Sequence, residues 1–179
     1  MTAARDRTEL GRRLVEAALL HGTFTLRSGA TSSVYLDKYR FETRPDLLGP
    51  IGVEMAACAG ECDRYGAPAL GGVALAAAAS LAAPHRPFVI VREARKEYGT
   101  ANLLEGPFEA GERVVVLEDV VTTGGAALEA VRALREAGLV VDRCVCVLDR
   151  EQGGGEAFAA HGVELVPLFT ATDLGIRTV

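Results

Sequence analysis

No stretch of the chain approaches the roughly 18 consecutive apolar residues that would cross a membrane. The opening segment, residues 1–10, carries charges where a secretion signal needs an apolar core. Both absences lead to the expectation of a cytoplasmic protein with no membrane partner. Positive charge is also short: 19 Lys and Arg face 24 Asp and Glu, a net charge of −5. That balance argues against general nucleic-acid binding, which draws on clustered cations to neutralise phosphates. It also repels anions at long range, so any phosphate site has to be built from local donors. Cysteine is limited to four residues. Cys58 and Cys62 are four apart in a helical stretch; Cys144 and Cys146 are two apart in a strand, hence on one face. Neither pair is C-x-x-C and no histidine lies near either in sequence. A zinc site from all four is one reading, and reduced, mostly buried thiols are the better one. His21, His85 and His161 fall at helix ends or in loops and take no role. No Walker loop and no G-x-G-x-x-G fingerprint is present, and no repeat, low-complexity run or domain boundary interrupts the 179 residues.

What is there suits one folded domain. Hydrophobic residues make up 49% and charged residues 24%, enough for a sizeable core. Leu10, Leu14, Val15, Ala18 and Leu19 form a helical stripe that predicts a helix over 8–20, ended by Gly22. Residues 24–29 read as a strand and turn, and 34–37 as a strand returning, so a hairpin is expected. Pro45 starts a helix to about Cys62, with Gly49-Pro50 placed to delay its start. Residues 1–62 are thus an N-terminal hood and helices. From 63 to 179 strands and helices alternate: strands at 65–70, 87–91, from 114, 139–148 and 163–168, helices at 73–83, 126–137 and up to His161. Alternation of this kind predicts an α/β core on a parallel sheet of five strands. Residues 92–105 are charged, have no period and read as a long loop.

The chemistry gathers around residues 114–125. Val114, Val115, Val116 and Leu117 predict a strand buried on both faces. Glu118 and Asp119 then stand at its carboxyl end, and Thr122-Thr123-Gly124-Gly125 leads into the helix. In an open parallel sheet, ligands bind at the carboxyl ends of strands. Loop N–H groups and a helix N-terminus, at the positive end of its dipole, make an anion site. The two acids cannot hold a phosphate; a carboxylate accepts hydrogen bonds from hydroxyls beside it. A phosphate next to vicinal hydroxyls describes a ribose 5-phosphate. Other polar clusters share that sheet edge, each with two readings. Gly71-Gly72 is a tight turn or a second nest of backbone N–H groups for an anion. Residues 92–100, with Arg92, Arg95 and Lys96, are a solvated loop or a lid that excludes water and stabilises a leaving anion. Arg150 is a surface partner of Asp149 or a bidentate ligand for a substrate carboxylate. Arg27 is ambiguous on spacing alone.

These residues carry a resemblance. Residues 114–125 are similar to the phosphoribosyl-pyrophosphate (PRPP) signature of the type I phosphoribosyltransferases. With Phe24-Thr25-Leu26-Arg27-Ser28-Gly29 and Tyr35, the lid residues, and Leu148-Asp149-Arg150-Glu151, the chain resembles the orotate-specific branch of that family. The resemblance implies the type I phosphoribosyltransferase fold with its small hood. It implies transfer of ribose 5-phosphate from PRPP to orotate in pyrimidine biosynthesis, with Mg²⁺ carried on PRPP rather than on protein ligands. Glu118 and Asp119 would hold the ribose hydroxyls beside Val120 and Val121, and Thr122, Thr123, Gly124, Gly125 and Ala126 the 5-phosphate. Arg92, Glu93, Lys96, Tyr98 and Gly71 would lie on the PRPP side, with Lys96, Glu118 and Asp119 catalytic. Thr122, Arg150 and Arg27 would meet orotate. The family's lid reaches the neighbouring subunit, which implies a homodimer. A transferase for another base, or a ligand-sensing regulator that keeps the fold, is the alternative. Three positions depart from the pattern: Glu93 where a lysine is frequent, Tyr98 where a histidine is frequent, and Leu70-Gly71-Gly72 where a lysine often follows the strand. Arg27 itself replaces a usual lysine.

Overall fold

The computed structural model describes residues 2–25, 29, 31–82, 86–93 and 103–176. Helix α1 (Thr2–Ala18) begins ahead of its apolar stripe and leads into an antiparallel hairpin, β1 (Leu19–Thr25) with β2 (Thr31–Leu36). A single helical turn, α2 (Tyr39–Glu42), follows. No sequence expectation covered it, because one turn is too short to show a period. Its Phe41 is fully buried and anchors the turn to the core. Helix α3 (Pro45–Ala59) starts at its proline and runs straight through Gly49-Pro50, so the expected delay does not occur. Pro50 has no N–H for the Asp46 carbonyl. Arg13 supplies the missing donor at 2.9 Å and grips the Asp46 carboxylate at 2.8 Å, which keeps that carbonyl satisfied.

The main sheet has six strands: β3 (Arg64–Pro68), β4 (Phe88–Val91), β5 (Leu104–Glu105), β6 (Arg113–Val121), β7 (Val140–Asp149) and β8 (Glu164–Thr170). They lie in the order β5-β4-β3-β6-β7-β8. Five are parallel, as helical crossovers require: α4 (Gly71–Ala82) follows β3, α5 (Gly125–Glu136) follows β6 and α6 (Gly154–Ala160) follows β7. The antiparallel β5 corrects the reading of 92–105 as loop throughout: its two residues pair with Ile90 and Val91, a length at which no periodicity exists. A second correction is that β6 does not end before its acids. Pairing of Glu118 with Cys146 and of Val121 with Asp149 carries the strand through to Val121.

Both faces of the sheet are covered. Val115 and Leu117 pack with Leu14, Ile51, Met55 and Leu75 on the side of α1, α3 and α4; Val114 and Val116 pack with Val131, Leu134 and Phe158 on the side of α5 and α6. Strand alternation therefore sends Glu118 toward the α5 side and Asp119 toward the α3 and α4 side. At the amino edge the buried Arg64 is fully engaged. It forms a two-pronged pair with Glu112 and donates to the Pro107 carbonyl at 2.6 Å. Among the described residues no helix is long and apolar enough to cross a membrane.

Candidate active site

The carboxyl edge of the sheet opens into a cleft of about 950 Å³. Arg92, Glu93, Gly71 and every residue from Glu118 to Ala126 line it, together with Lys38 and Tyr39 from the hood. Of the expected site residues, Arg27, Lys96 and Tyr98 lie outside the described residues. Arg150 is not on the lining itself; it stands one step behind, its N–H donating to the Val121 carbonyl at 2.8 Å.

The floor is the start of α5. Gly124 has φ 82°, and a Cβ there would stand 3.1 Å from the Phe158 ring. Both the left-handed backbone and the close ring call for glycine. No side chain caps this end, and Thr122, Thr123, Gly125 and Ala126 are exposed to the cleft. Uncapped N–H groups at the positive end of a helix, flanked by two hydroxyls, suit one phosphate.

The two acids are held differently. Asp119 is buried, yet both its oxygens are engaged: Oδ1 accepts the Val120 N–H at 2.5 Å and Oδ2 accepts from Lys38 Nζ at 2.5 Å. Glu118 Oε1 accepts the Asp119 N–H at 3.0 Å. Burial, then the Asp119 charge, push the Glu118 carboxyl up to about 8. Lys38 and Glu42 meet this corner as well, and nothing in the sequence reading singled them out. Glu42 is 5% exposed, and its Oε1 is buried without a hydrogen-bond partner among the described residues. Burial and then Asp119 push it up to about 7. Burial on its own would lower Lys38, but its hydrogen bond and attraction to Asp119 outweigh that and raise it. The four-residue spacing of Lys38 and Glu42 is the only local signal for the pair.

Gly71 lines the cleft and packs closely against Asp119. A Cβ on it would overlap Asp119 Oδ2, lie 2.6 Å from Asp119 Cγ and stand 3.1 Å from Lys38 Nζ. The glycine is the bare patch of backbone against which the Asp119 carboxylate and the lysine head pack.

Arg150 is not the surface partner of Asp149. The Asp149 carboxylate accepts the Glu151 N–H at 2.8 Å instead. The Arg150 Nε is buried with no hydrogen-bond partner among the described residues, and burial lowers its pKa. Glu151 pins this loop. It holds φ 55°, unusual for a non-glycine residue, while its carboxylate accepts both the Thr172 N–H at 2.8 Å and the Thr172 hydroxyl at 2.7 Å.

The cysteine pairs are separated by the sheet. Cys144 and Cys146 are buried on the α5 side, where burial drives both thiols up, whereas Cys58 and Cys62 pack on the α3 side. The four cannot share one zinc ion. Among the described residues no three His, Cys, Asp or Glu side chains gather as a metal site.

The acid cluster sets a pH dependence. Glu42 and Glu118 titrate higher in the folded protein than near 4.5, so the stability they contribute is complete below about 4.5 and is lost as pH rises through about 7 and 8. The melting temperature is expected to fall between pH 5.5 and pH 8.5. Glu42→Gln removes one of the two groups and should recover about 1–2 kcal/mol at the alkaline end, allowing for partial solvent screening. Thermal melts at the two pH values check this; an unchanged slope in the variant refutes the assignment to Glu42.

Comparison with known proteins agrees with this geometry. The phosphoribosyl transferase domain family matches residues 67–160. The orotate phosphoribosyltransferase of Natronomonas pharaonis is 51% identical over 161 residues, covering 88% of this chain and 90% of that protein. Among solved structures, Mycobacterium tuberculosis orotate phosphoribosyltransferase in complex with Fe(III) dicitrate superposes with a TM-score of 0.86 at 32% identity, covering 95% of this chain and 99% of that one. The same enzyme in complex with 5-phospho-α-D-ribosyl 1-diphosphate gives a TM-score of 0.80 at 32% identity and the same coverage.

Proposed function

The chain belongs to the phosphoribosyltransferase family, among its orotate phosphoribosyltransferases, and from that membership we propose how its own residues carry the reaction. Orotate and PRPP give orotidine 5′-phosphate and pyrophosphate, a step of pyrimidine nucleotide (UMP) synthesis. The orotate ring nitrogen gives up its proton to water or the departing pyrophosphate and bonds to the anomeric carbon, while the bond from that carbon to pyrophosphate breaks, the pyrophosphate leaving with the electron pair.

The observation that carries this reading is the meeting of Asp119 and Glu118 with the uncapped start of α5 in one cleft. Residues 122–126 take the 5-phosphate through backbone N–H groups and hydroxyls. Glu118 and Asp119 take the ribose hydroxyls, and the Asp119 charge favours the positive character that develops at the anomeric carbon. Arg150, with its unpartnered Nε behind Val121, takes the orotate carboxylate, and Thr122 lies beside it. Arg92 and Lys96 act on the departing pyrophosphate. Mg²⁺ would be held by the phosphate and ribose oxygens of the substrate together with water, which suits its preferences without a protein ligand. Carried in on PRPP, it would neutralise charge on the pyrophosphate. We further propose that the enzyme works in the cytoplasm as a homodimer, with Lys96 and Tyr98 of the lid reaching the neighbouring subunit's cleft while Arg92, at the lid's start, lines its own; the family resemblance of these segments supports that reading.

Loss of orotate absorbance with PRPP and Mg²⁺ tests the function directly. Saturable PRPP binding without turnover of orotate, uracil or purines would instead mark a regulator. Arg150→Ala is expected to raise the KM for orotate by about tenfold to a hundredfold, the scale of a lost charge-assisted pair, with the KM for PRPP within about twofold. Steady-state kinetics in both substrates decide it, and equal damage to both would remove Arg150 from the carboxylate role.

A further inference from the structure

We propose that Lys38, a residue of the hood, is a pyrophosphate-binding residue of this cleft; the inference rests on the PRPP reading above and adds a further cation to its leaving-group side. The placement follows from the sheet. The start of α5 holds the phosphate end of the ribose, and the acids of β6 hold its hydroxyls. The anomeric carbon then lies beyond the acids, away from the phosphate. The incoming base and the outgoing pyrophosphate use opposite faces of that carbon. Arg150 ends the neighbouring strand β7 on one side, and Gly71 follows the neighbouring strand β3 on the other. The leaving group therefore faces the wall made by Gly71 and Lys38.

The loop after β3 offers that wall no cation, since it reads Leu70-Gly71-Gly72. Lys38 fills the space. Its Nζ would stand 3.1 Å from a Cβ on Gly71, so the bare glycine is what lets the ammonium reach this point. One of its three N–H donors goes to Asp119 Oδ2 at 2.5 Å. The side chain is 34% exposed and lines the cleft, which leaves donors for an incoming oxyanion. The Tyr39 ring, 5.5 Å from Nζ, flanks it. Among the other described cations on the lining, Arg92 lies 3.9 Å from Glu105 and Arg132 is on α5, well past the phosphate loop. Lys38 also solves a charge problem. The Asp119 carboxylate stands at this wall, and a pyrophosphate could not approach it without a cation between them.

The test compares ligands that differ only in the leaving group. Binding of PRPP, inorganic pyrophosphate and ribose 5-phosphate is measured by calorimetry with Mg²⁺ for wild type, Lys38→Met and Lys38→Arg. The methionine variant is expected to weaken PRPP and pyrophosphate by about tenfold or more, as loss of a charge-assisted contact does, and ribose 5-phosphate by less than twofold. Equal weakening of ribose 5-phosphate would show that Lys38 acts only by positioning Asp119, and no change in any ligand would show that it does nothing; either result overturns the proposal. Lys38→Arg keeps the charge and should stay within about threefold of wild type; an arginine variant as weak as the methionine one also overturns it. Far-UV circular dichroism and melting confirm that each variant is folded. A wild type that binds PRPP but leaves orotate untouched counts against the proposed function, not against Lys38, because these measurements contain no base.

Discussion

Gly71→Ala is expected to lower kcat/KM by roughly a hundredfold, although the substitution adds a single methyl group. A displacement of about 1 Å in a catalytic group is enough for a loss of that size. The new Cβ would overlap Asp119 Oδ2 and come within 2.6 Å of Asp119 Cγ. The backbone has little room to retreat. A Cβ on the next residue, Gly72, would lie 2.6 Å from the Leu117 carbonyl oxygen and 2.8 Å from Pro68 Cδ, so this turn is already wedged against β6. The carboxylate therefore has to swing away, giving up the Lys38 ammonium and the Val120 N–H together. Overpacking of this kind also costs about 1–3 kcal/mol of stability. Initial rates and thermal melts measure the two effects separately. The mechanism also makes a statement about additivity. Once Asp119 has been replaced by alanine, the clash has no target, so Gly71→Ala should cost little more in that background. A variant with wild-type rates would mean that Asp119 need not stay where it is.

Asp119→Asn should lower kcat by about a hundredfold to a thousandfold, the range seen when one preorganised electrostatic contact is removed from a transition state. The amide keeps the shape of the carboxylate and loses its charge. Three partners feel the change at once. The ribose hydroxyls lose their better acceptor, the anomeric carbon loses the charge that favours its positive character, and Lys38 loses its counter-ion at 2.5 Å. Two neighbours respond as well. Asp119 is the second largest cause raising both Glu42 and Glu118, so both carboxyls should titrate lower in the variant. The kcat profile against pH should shift in the acid direction along with the drop in rate. Single-turnover kinetics across pH 5.5 to 9 would read both. A kcat within about threefold of wild type would remove Asp119 from the charge-stabilising role.

The parts of the site that were legible in the sequence are those whose signal is local. Four apolar residues, two acids and Thr122-Thr123-Gly124-Gly125 stand in one line, and strand, loop and helix follow from that order. What the sequence hid depends on partners far along the chain. Lys38 meets Asp119 across 81 residues, and the four-residue spacing to Glu42 says nothing of that partner. Pro50 sits within an unbroken helix because Arg13, from another helix, satisfies the carbonyl it strands. At Gly71 neither reading, a tight turn or an anion nest, touches on the contact its bare backbone makes with Asp119 and Lys38, because those partners lie far along the chain. For Arg150, the unpartnered Nε and the Glu151 bond to Asp149 set aside the pair with Asp149, which spacing alone allowed. The β5 strand escaped notice because two residues cannot display a period.

The link between Lys38 and Asp119 bears on how far this site can travel. The segment from β6 through α5 looks like a portable unit, since it holds the acids, the loop and the phosphate-binding helix end in 24 consecutive residues, Arg113 to Glu136. Moved into another parallel sheet, it would keep its grip on a sugar phosphate and arrive without the counter-ion of its central acid. That ion belongs to the hood, and the bare backbone that admits it belongs to the turn after β3. The smallest inheritable piece of this chemistry therefore runs from the hood to the end of β7, and the hood is as much a part of it as the signature strand.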